Sequence, residues 1–355
     1  MRVEGHNAPV ARLRRVECSG PGIGRRRRGK GFEFLDDEGR TVSDSEVVGR
    51  IRELAIPPAW QEVWICPYPM GHIQATGIDA AGRKQYIYHS QWRERRDQEK
   101  FDSMIGFARA LRGMRRRVAR DLRGTGMGRE RVLAGAVRLL DHGFFRVGGE
   151  SYAAENDSYG LATMKKKHVT IEGGTITFDY RAKSGKRRVQ SVMDPEVCDI
   201  VETLKRRRQG VELLAYKRGR GWVDIKSADI NAYVKEVTGG DFSAKDFRTW
   251  NATVLAAVAL AVSGPAASGS KIARKRAITR AVKEVAHYLG NTPAVSRASY
   301  IDPRVFDRFE GGVTIGGVLT EIGDEGDIGG LHGPAEEAVL DLLAGHETPA
   351  IEKVA

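Results

Sequence analysis

A change of hydrophobic period near residue 93 constrains this chain more than any other feature. Before it, apolar residues sit in short runs: Phe32 and Phe34 alternate with polar neighbours, Val63-Trp64-Ile65-Cys66 is compact, and Tyr86-Ile87-Tyr88 follows the turn-forming Asp79-Ala80-Ala81-Gly82. Successive strand side chains point to opposite faces, so such runs, bounded by Gly and Pro, predict a small antiparallel sheet. After it, Phe101, Met104, Ile105, Ala108 and Leu111 recur at helical spacing, and Val132, Leu133, Ala136, Val137 and Leu140 repeat the pattern. The expected class is α+β, with a β-rich N-terminal domain over 1–92 and a larger, mainly α-helical domain over 93–355.

Within the second domain, Val169 and Ile171, then Ile176, Phe178 and Tyr180, alternate as strands do. Gly173-Gly174 separates them, and Lys183-Ser184-Gly185 turns the chain into a third strand, so a β-hairpin or meander is embedded among the helices. Asp194-Pro195 predicts a helix start, as does Ser243 ahead of Phe247, Val254 and Val258. Gly264 to Ser270 reads as a loop of small residues. Thr292-Pro293 starts a short helix reaching Tyr300, and Pro303 stops it. The Gly-rich stretch from Gly311 to Gly333 reads as a mobile tail, followed by a short amphipathic helix around Val339 to Leu343.

The chain has 355 residues and a net charge of +12, which points to a polyanionic partner. Cys18, Cys66 and Cys198 are far apart, with no C-x-x-C and no H-E-x-x-H, so no disulfide framework or metal site is expected. Met1 to Arg15 lacks an apolar core, and the longest apolar run, Val254 to Val262, is too short for a bilayer. A cytoplasmic, nucleoid-associated protein with no membrane partner is expected. Gly24 to Lys30 matches most of a phosphate-binding loop, but position 31 is glycine where Ser or Thr would hold Mg²⁺. Arg25 to Arg28 reads instead as a basic loop, and no nucleotide is expected.

Five residues supply a chemistry when taken together: Arg146, Lys183, Arg248, Asn291 and Tyr300. A phenol, two guanidiniums, an ammonium and an amide suffice to attack a phosphodiester. Each has an ordinary alternative. Arg146, before Gly148-Gly149, could cap a helix; Lys183 could be a solvated turn residue; Asn291 could be a helix cap. Arg248, three residues after Lys245, falls beside bulky apolar groups and needs an anion, either Asp246 or a substrate phosphate. Tyr300 precedes a helix breaker, which favours exposure. Gln85, Tyr86 and Tyr88 could contact nucleic acid or simply face a core.

Gly-Arg-Lys-Gln85-Tyr86-Ile-Tyr88, Phe-Phe-Arg146-Val-Gly, Glu155-Asn-Asp-Ser-Tyr159-Gly160-Leu, Lys245-Asp-Phe-Arg248-Thr-Trp and Leu289-Gly-Asn291-Thr-Pro before Ser299-Tyr300 occur in this order. That joint pattern, from about Gly20 to Phe309, resembles the type IB DNA topoisomerases of the poxvirus and bacterial kind. The resemblance implies that Tyr300 attacks a DNA phosphorus to form a 3′-phosphotyrosyl bond, while Arg146, Arg248 and Asn291 hold the non-bridging oxygens. Lys183 would protonate the leaving 5′ oxygen, with Lys186 as the alternative. Gln85, Tyr86, Tyr88, Tyr152 and Lys245 would contact DNA. The resemblance further implies a monomer closing as a C-shaped clamp on duplex DNA, with no cofactor. Asn291 stands where poxvirus members carry histidine, and Ala182 stands where glycine is expected before the lysine. A tyrosine recombinase shares this chemistry, but its H-x-x-R motif would place histidine at Lys245. A non-enzymatic DNA-binding protein is the other alternative.

The residue types suit the chemistry. A phenol of pKa about 10 is mostly protonated at neutral pH, and nearby guanidiniums favour its anion. Fixed arginines fork onto phosphate oxygens and stabilise charge that develops on them. A phosphotyrosyl ester keeps the energy of the broken bond, so resealing needs no ATP.

Overall fold

Five strands build the N-terminal sheet: β1 (Ile23–Arg28), β2 (Gly31–Leu35), β3 (Gln61–Ile65), β4 (Ile73–Ile78) and β5 (Lys84–Tyr88). Their order is β2-β1-β3-β4-β5 and every pairing is antiparallel. Arg25 to Arg28, expected as a loop, form most of β1, in register with β2 from Gly24↔Leu35 to Arg28↔Gly31. The long stems let a strand carry these charges. Arg26 pairs with Glu33 at 2.7 Å. Arg25 donates to the carbonyls of Pro57 (3.0 Å) and Trp60 (2.7 Å) and lies 4.2 Å from the Phe32 ring centre. The run that resembles a phosphate loop is therefore a hairpin, and no helix follows it directly.

A helix not expected from the sequence, α1 (Ser45–Glu53), starts at Asp44, whose carboxylate accepts from the Glu46 and Val47 amides. It sets Ile51 into a small core with Ile23, Val63, Ile65 and Ala75.

The structure, a computed structural model, describes residues 12–267, 269–319 and 332–353. The chain forms two units that divide between Lys100 and Phe101. That point falls inside α2 (Ser90–Leu122), whose buried residues from Phe101 to Leu122 recur every three or four positions. The second unit continues with α3 (Arg129–Gly143) and α4 (Glu150–Asn156), then the meander β6 (Val169–Glu172), β7 (Thr175–Arg181) and β8 (Arg187–Met193). Next come α5 (Pro195–Arg206), the hairpin β9 (Ala215–Arg218) and β10 (Gly221–Asp224), and α6 (Ser227–Thr238). Asp194 caps α5 as expected, accepting from the Val197 amide at 3.0 Å. The β9–β10 hairpin was not expected.

Helix α7 (Ala244–Ala267) is the axis of this unit, with Phe247, Trp250, Val254 and Leu260 all buried. It is long and apolar enough to cross a membrane, but 67% of its most apolar window is buried within the unit, as befits a core helix. It runs through Pro265 to Ala267, so the loop expected from Gly264 starts later. Gly264 and Ala267 are buried, and their small size lets the helix end pack closely. Helices α8 (Lys271–Leu289), α9 (Pro293–Ser299) and α10 (Pro303–Glu310) follow.

The glycine-rich tail departs from expectation at Gly311 to Leu319. Val313 and Thr314 form β11 (Val313–Thr314), paired with β12 (Glu352–Lys353), and Ile315 and Val318 are buried. The remainder of that stretch, 320–331, lies outside the described residues. The final helix, α11 (Pro334–Ala344), buries Ala335, Ala338, Val339 and Leu342. An ion network fixes its first turn. Arg115 of α2 pairs with Asp141 at 2.8 Å and Glu336 at 2.5 Å, and Trp250 Nε1 donates to Glu336 at 2.8 Å.

Candidate active site

Arg146, Lys183, Arg248 and Tyr300 line one cavity of about 300 Å³ in the second unit, together with Tyr152 and Lys245. Each arrives from a different element. Arg146 follows α3, which Phe144 ends in a left-handed conformation while Phe145 plugs the core. Its segment is pinned by backbone bonds from the Leu161 amide to the Arg146 carbonyl (2.8 Å) and from the Ala162 amide to the Val147 carbonyl (2.7 Å). Gly148 and Gly160 cross there so tightly that a methyl on Gly160 would lie 2.5 Å from the Gly148 Cα. Glycine is required for that approach. The glycines after Arg146 thus pack the segment as well as open it.

Arg248 is only 4% exposed. Its expected carboxylate partner, Asp246, is engaged elsewhere, accepting from the amide and hydroxyl of Ser243 at 2.7 and 3.0 Å. The Arg248 guanidinium instead donates to the Phe144 carbonyl and, at 2.9 Å, to the Leu289 carbonyl. Those oxygens sit at the C-terminal ends of α3 and α8, where helix dipoles concentrate negative partial charge. Two carbonyls thus hold the guanidinium in place of Asp246, and on the cavity side it faces the Tyr300 phenol.

Tyr300 ends α9, its amide donating to the Ser296 carbonyl at 3.0 Å and its carbonyl accepting from Thr253 Oγ1 at 3.4 Å. The ring packs partly on the core rather than standing exposed, with the Arg248 guanidinium carbon 5.4 Å from its centre. Burial pushes the phenol up, but Arg248 and Arg146 outweigh it, with Lys245 adding to them, and the pKa falls below its ordinary value. The neighbouring cations thus favour the anionic form of this phenol.

Asn291 joins this group through Arg146, whose Nη2 donates to Asn291 Oδ1. Its Nδ2 is buried and has no partner among the described residues. A buried donor left open in this way is suited to an anionic oxygen of a ligand. Lys183 opens the β7–β8 turn, where Ser184 and Gly185 take positive φ values of 65° and 70°. Lys186 borders an adjoining cleft of about 400 Å³ but not the Tyr300 cavity, whereas Lys183 borders both.

The DNA-contact expectations divide. Tyr152 on α4 and Lys245 on α7 border the cavity. Gln85, Tyr86 and Tyr88 lie on β5 of the first unit. Tyr86 and Tyr88 are exposed and stacked, with ring centres 6.0 Å apart, but Gln85 alternates to the opposite face, where its Nε2 donates to Asp79 at 2.9 Å. Ser158 was given no role by the sequence. It is buried on the cavity wall with its hydroxyl unpartnered among the described residues. The signal was its place inside the Glu155 to Leu161 motif. Asp141, His142 and His332 could present ligand atoms within 4.8 Å of one another, but Arg115 already occupies both Asp141 oxygens, so the cluster is built as an ion network.

Comparison with known proteins covers both units. The chain matches the catalytic core of eukaryotic DNA topoisomerase I over residues 89–310 and the N-terminal domain of bacterial DNA topoisomerase IB over residues 31–79. It is 32% identical over 276 residues to DNA topoisomerase 1B of Acanthamoeba polyphaga mimivirus, spanning 76% of this chain and 81% of that relative. DNA topoisomerase 1 of rabbit fibroma virus (strain Kasza) is 26% identical over 238 residues, spanning 65% of this chain and 70% of the relative. DNA topoisomerase 1 of Schizosaccharomyces pombe is 30% identical over 126 residues, 35% of this chain and 15% of the relative.

Proposed function

This chain belongs to the type IB DNA topoisomerases, enzymes that relax DNA, and from that premise we propose that Tyr300 is the nucleophile of a metal- and ATP-independent strand transfer. The observation that carries the reading is the convergence of Arg146, Arg248 and Lys183 on one cavity with a tyrosine whose phenol the two arginines make more acidic. Tyr300 Oη, as the phenolate, attacks phosphorus, and the bond from phosphorus to the 5′ oxygen breaks. Arg146, Arg248 and the open Asn291 amide receive the charge that builds on the non-bridging oxygens. Lys183 gives its proton to the departing 5′ oxygen. The 3′-phosphotyrosyl ester keeps the bond energy while the duplex rotates about the intact strand. Attack by the 5′ hydroxyl then reverses each step.

Tyr152, Lys245 and the N-terminal Tyr86 and Tyr88 serve as DNA contacts in this reading, and the two units of one monomer act together as the expected C-shaped clamp. Denaturant trapping on a nicked DNA substrate tests the chemistry. A covalent adduct mapping to the Tyr300 peptide, absent in Tyr300→Phe, is the expected result. An adduct on another tyrosine, or one that persists in Tyr300→Phe, overturns the assignment.

A further inference from the structure

Arg188 on β8 takes no part in the mechanism above, yet it is a largely buried guanidinium with no carboxylate partner among the described residues. Its Nη2 donates to the Tyr288 carbonyl near the end of α8, and its Nε donates to Gln190 Oε1 at 2.7 Å. Gln190 Nε2 in turn donates to the Gly143 carbonyl, the last residue of α3, at 2.7 Å. A two-residue brace on one strand therefore grips the carbonyl ends of two helices. Gly143 lies three residues before Arg146, and Tyr288 lies three before Asn291. β8 itself leads directly out of the turn that carries Lys183.

Arg248 holds the same two helix ends at the neighbouring carbonyls of Phe144 and Leu289. The brace adds what Arg248 does not supply, a tie from those ends to the lysine hairpin. The backbone has closed tightly on it: a methyl on Gly290 would lie 2.8 Å from Arg188 Nη1. Helix C-terminal carbonyls are favourable partners for such a cation, and a guanidinium can fork where an ammonium cannot.

We propose that Arg188 is a positioning residue that, with Gln190, fixes the hairpin bearing Lys183 against the helix ends bearing Arg146 and Asn291. The proposal rests on the reading of Lys183 as the proton donor.

The test is single-turnover cleavage at saturating DNA, on a substrate with the natural 5′ bridging oxygen and on one with sulfur there. A thiolate leaves without a proton, so the sulfur substrate bypasses the lysine. Arg188→Ala is expected to slow cleavage about 100-fold on the oxygen substrate, as a misplacement near 1 Å would, and no more than about 3-fold on sulfur. Half-saturation by DNA should stay unchanged on both. Gln190→Ala removes only the Gly143 end of the brace and should show the same pattern more weakly, which preserves the test if Arg188→Ala fails to fold. Equal slowing on both substrates, a change confined to DNA half-saturation, or no slowing overturns the proposal. Lys183→Ala, run in parallel, separates the two readings. If sulfur does not rescue it, the proton-donor assignment itself fails. If sulfur rescues it but not Arg188→Ala, only the positioning role fails.

Discussion

Tyr300 is more acidic than an ordinary tyrosine because Arg248 and Arg146 outweigh the cost of burying its anion. Removing either cation must therefore raise its pKa. Cleavage through the phenolate speeds up as pH rises through that pKa, so in Arg146→Ala the rising limb of the rate profile should move to higher pH. Single-turnover rates measured across neutral to alkaline pH check this, and an unmoved limb contradicts the electrostatic coupling. The grouping of Tyr300, Arg146 and Arg248 on one cavity was legible because those residue types occur in a telling order. The partners of Arg248 were not, because sequence offered only Asp246 or a substrate phosphate whereas the fold offered two helix ends. Ser158 and Arg188 were illegible for a related reason, since their meaning lies in what folding brings beside them.

At the scale of elements, the turns and caps were the most readable parts. The Lys183 turn, the Asp194 cap and the Thr292-Pro293 start all depend on local backbone chemistry that a few residues encode. Strand β1 was misread because four consecutive arginines obscure the alternation of the strand they occupy. Gly311 to Leu319 was misread because its glycines suggested mobility, whereas β11 pairs with β12; the helix expected around Val339 to Leu343 does form, and Glu336 locks its first turn. Burial pushes the Glu336 carboxyl up, but its bonds to Arg115 and His332 outweigh that and hold it well below the usual range. A carboxylate with a depressed pKa adds stability that is present above about pH 4.5, its ordinary value, and is lost as pH falls below it. Glu336→Gln breaks the buried pair with Arg115 and should cost about 3 kcal/mol at neutral pH. It should also flatten the loss of stability in acid. Urea melts at neutral and acidic pH would show both, and an unchanged midpoint at neutral pH would contradict the lock.

For the whole molecule, a net charge of +12 and the ordered set of motifs were enough to point to DNA and to strand transfer, because phosphate contacts dominate such binding. The matches to both parts of the chain agree with DNA as the substrate and with membership of the type IB topoisomerases. In the proposed mechanism Tyr300 breaks and reseals DNA using only side chains. Relaxation of supercoiled plasmid in EDTA without ATP, wild type beside Tyr300→Phe, tests it most directly. The account predicts full relaxation by the wild type and none by the variant, although both bind the plasmid. Wild-type relaxation that needs a metal or ATP, or relaxation retained by Tyr300→Phe, would contradict it.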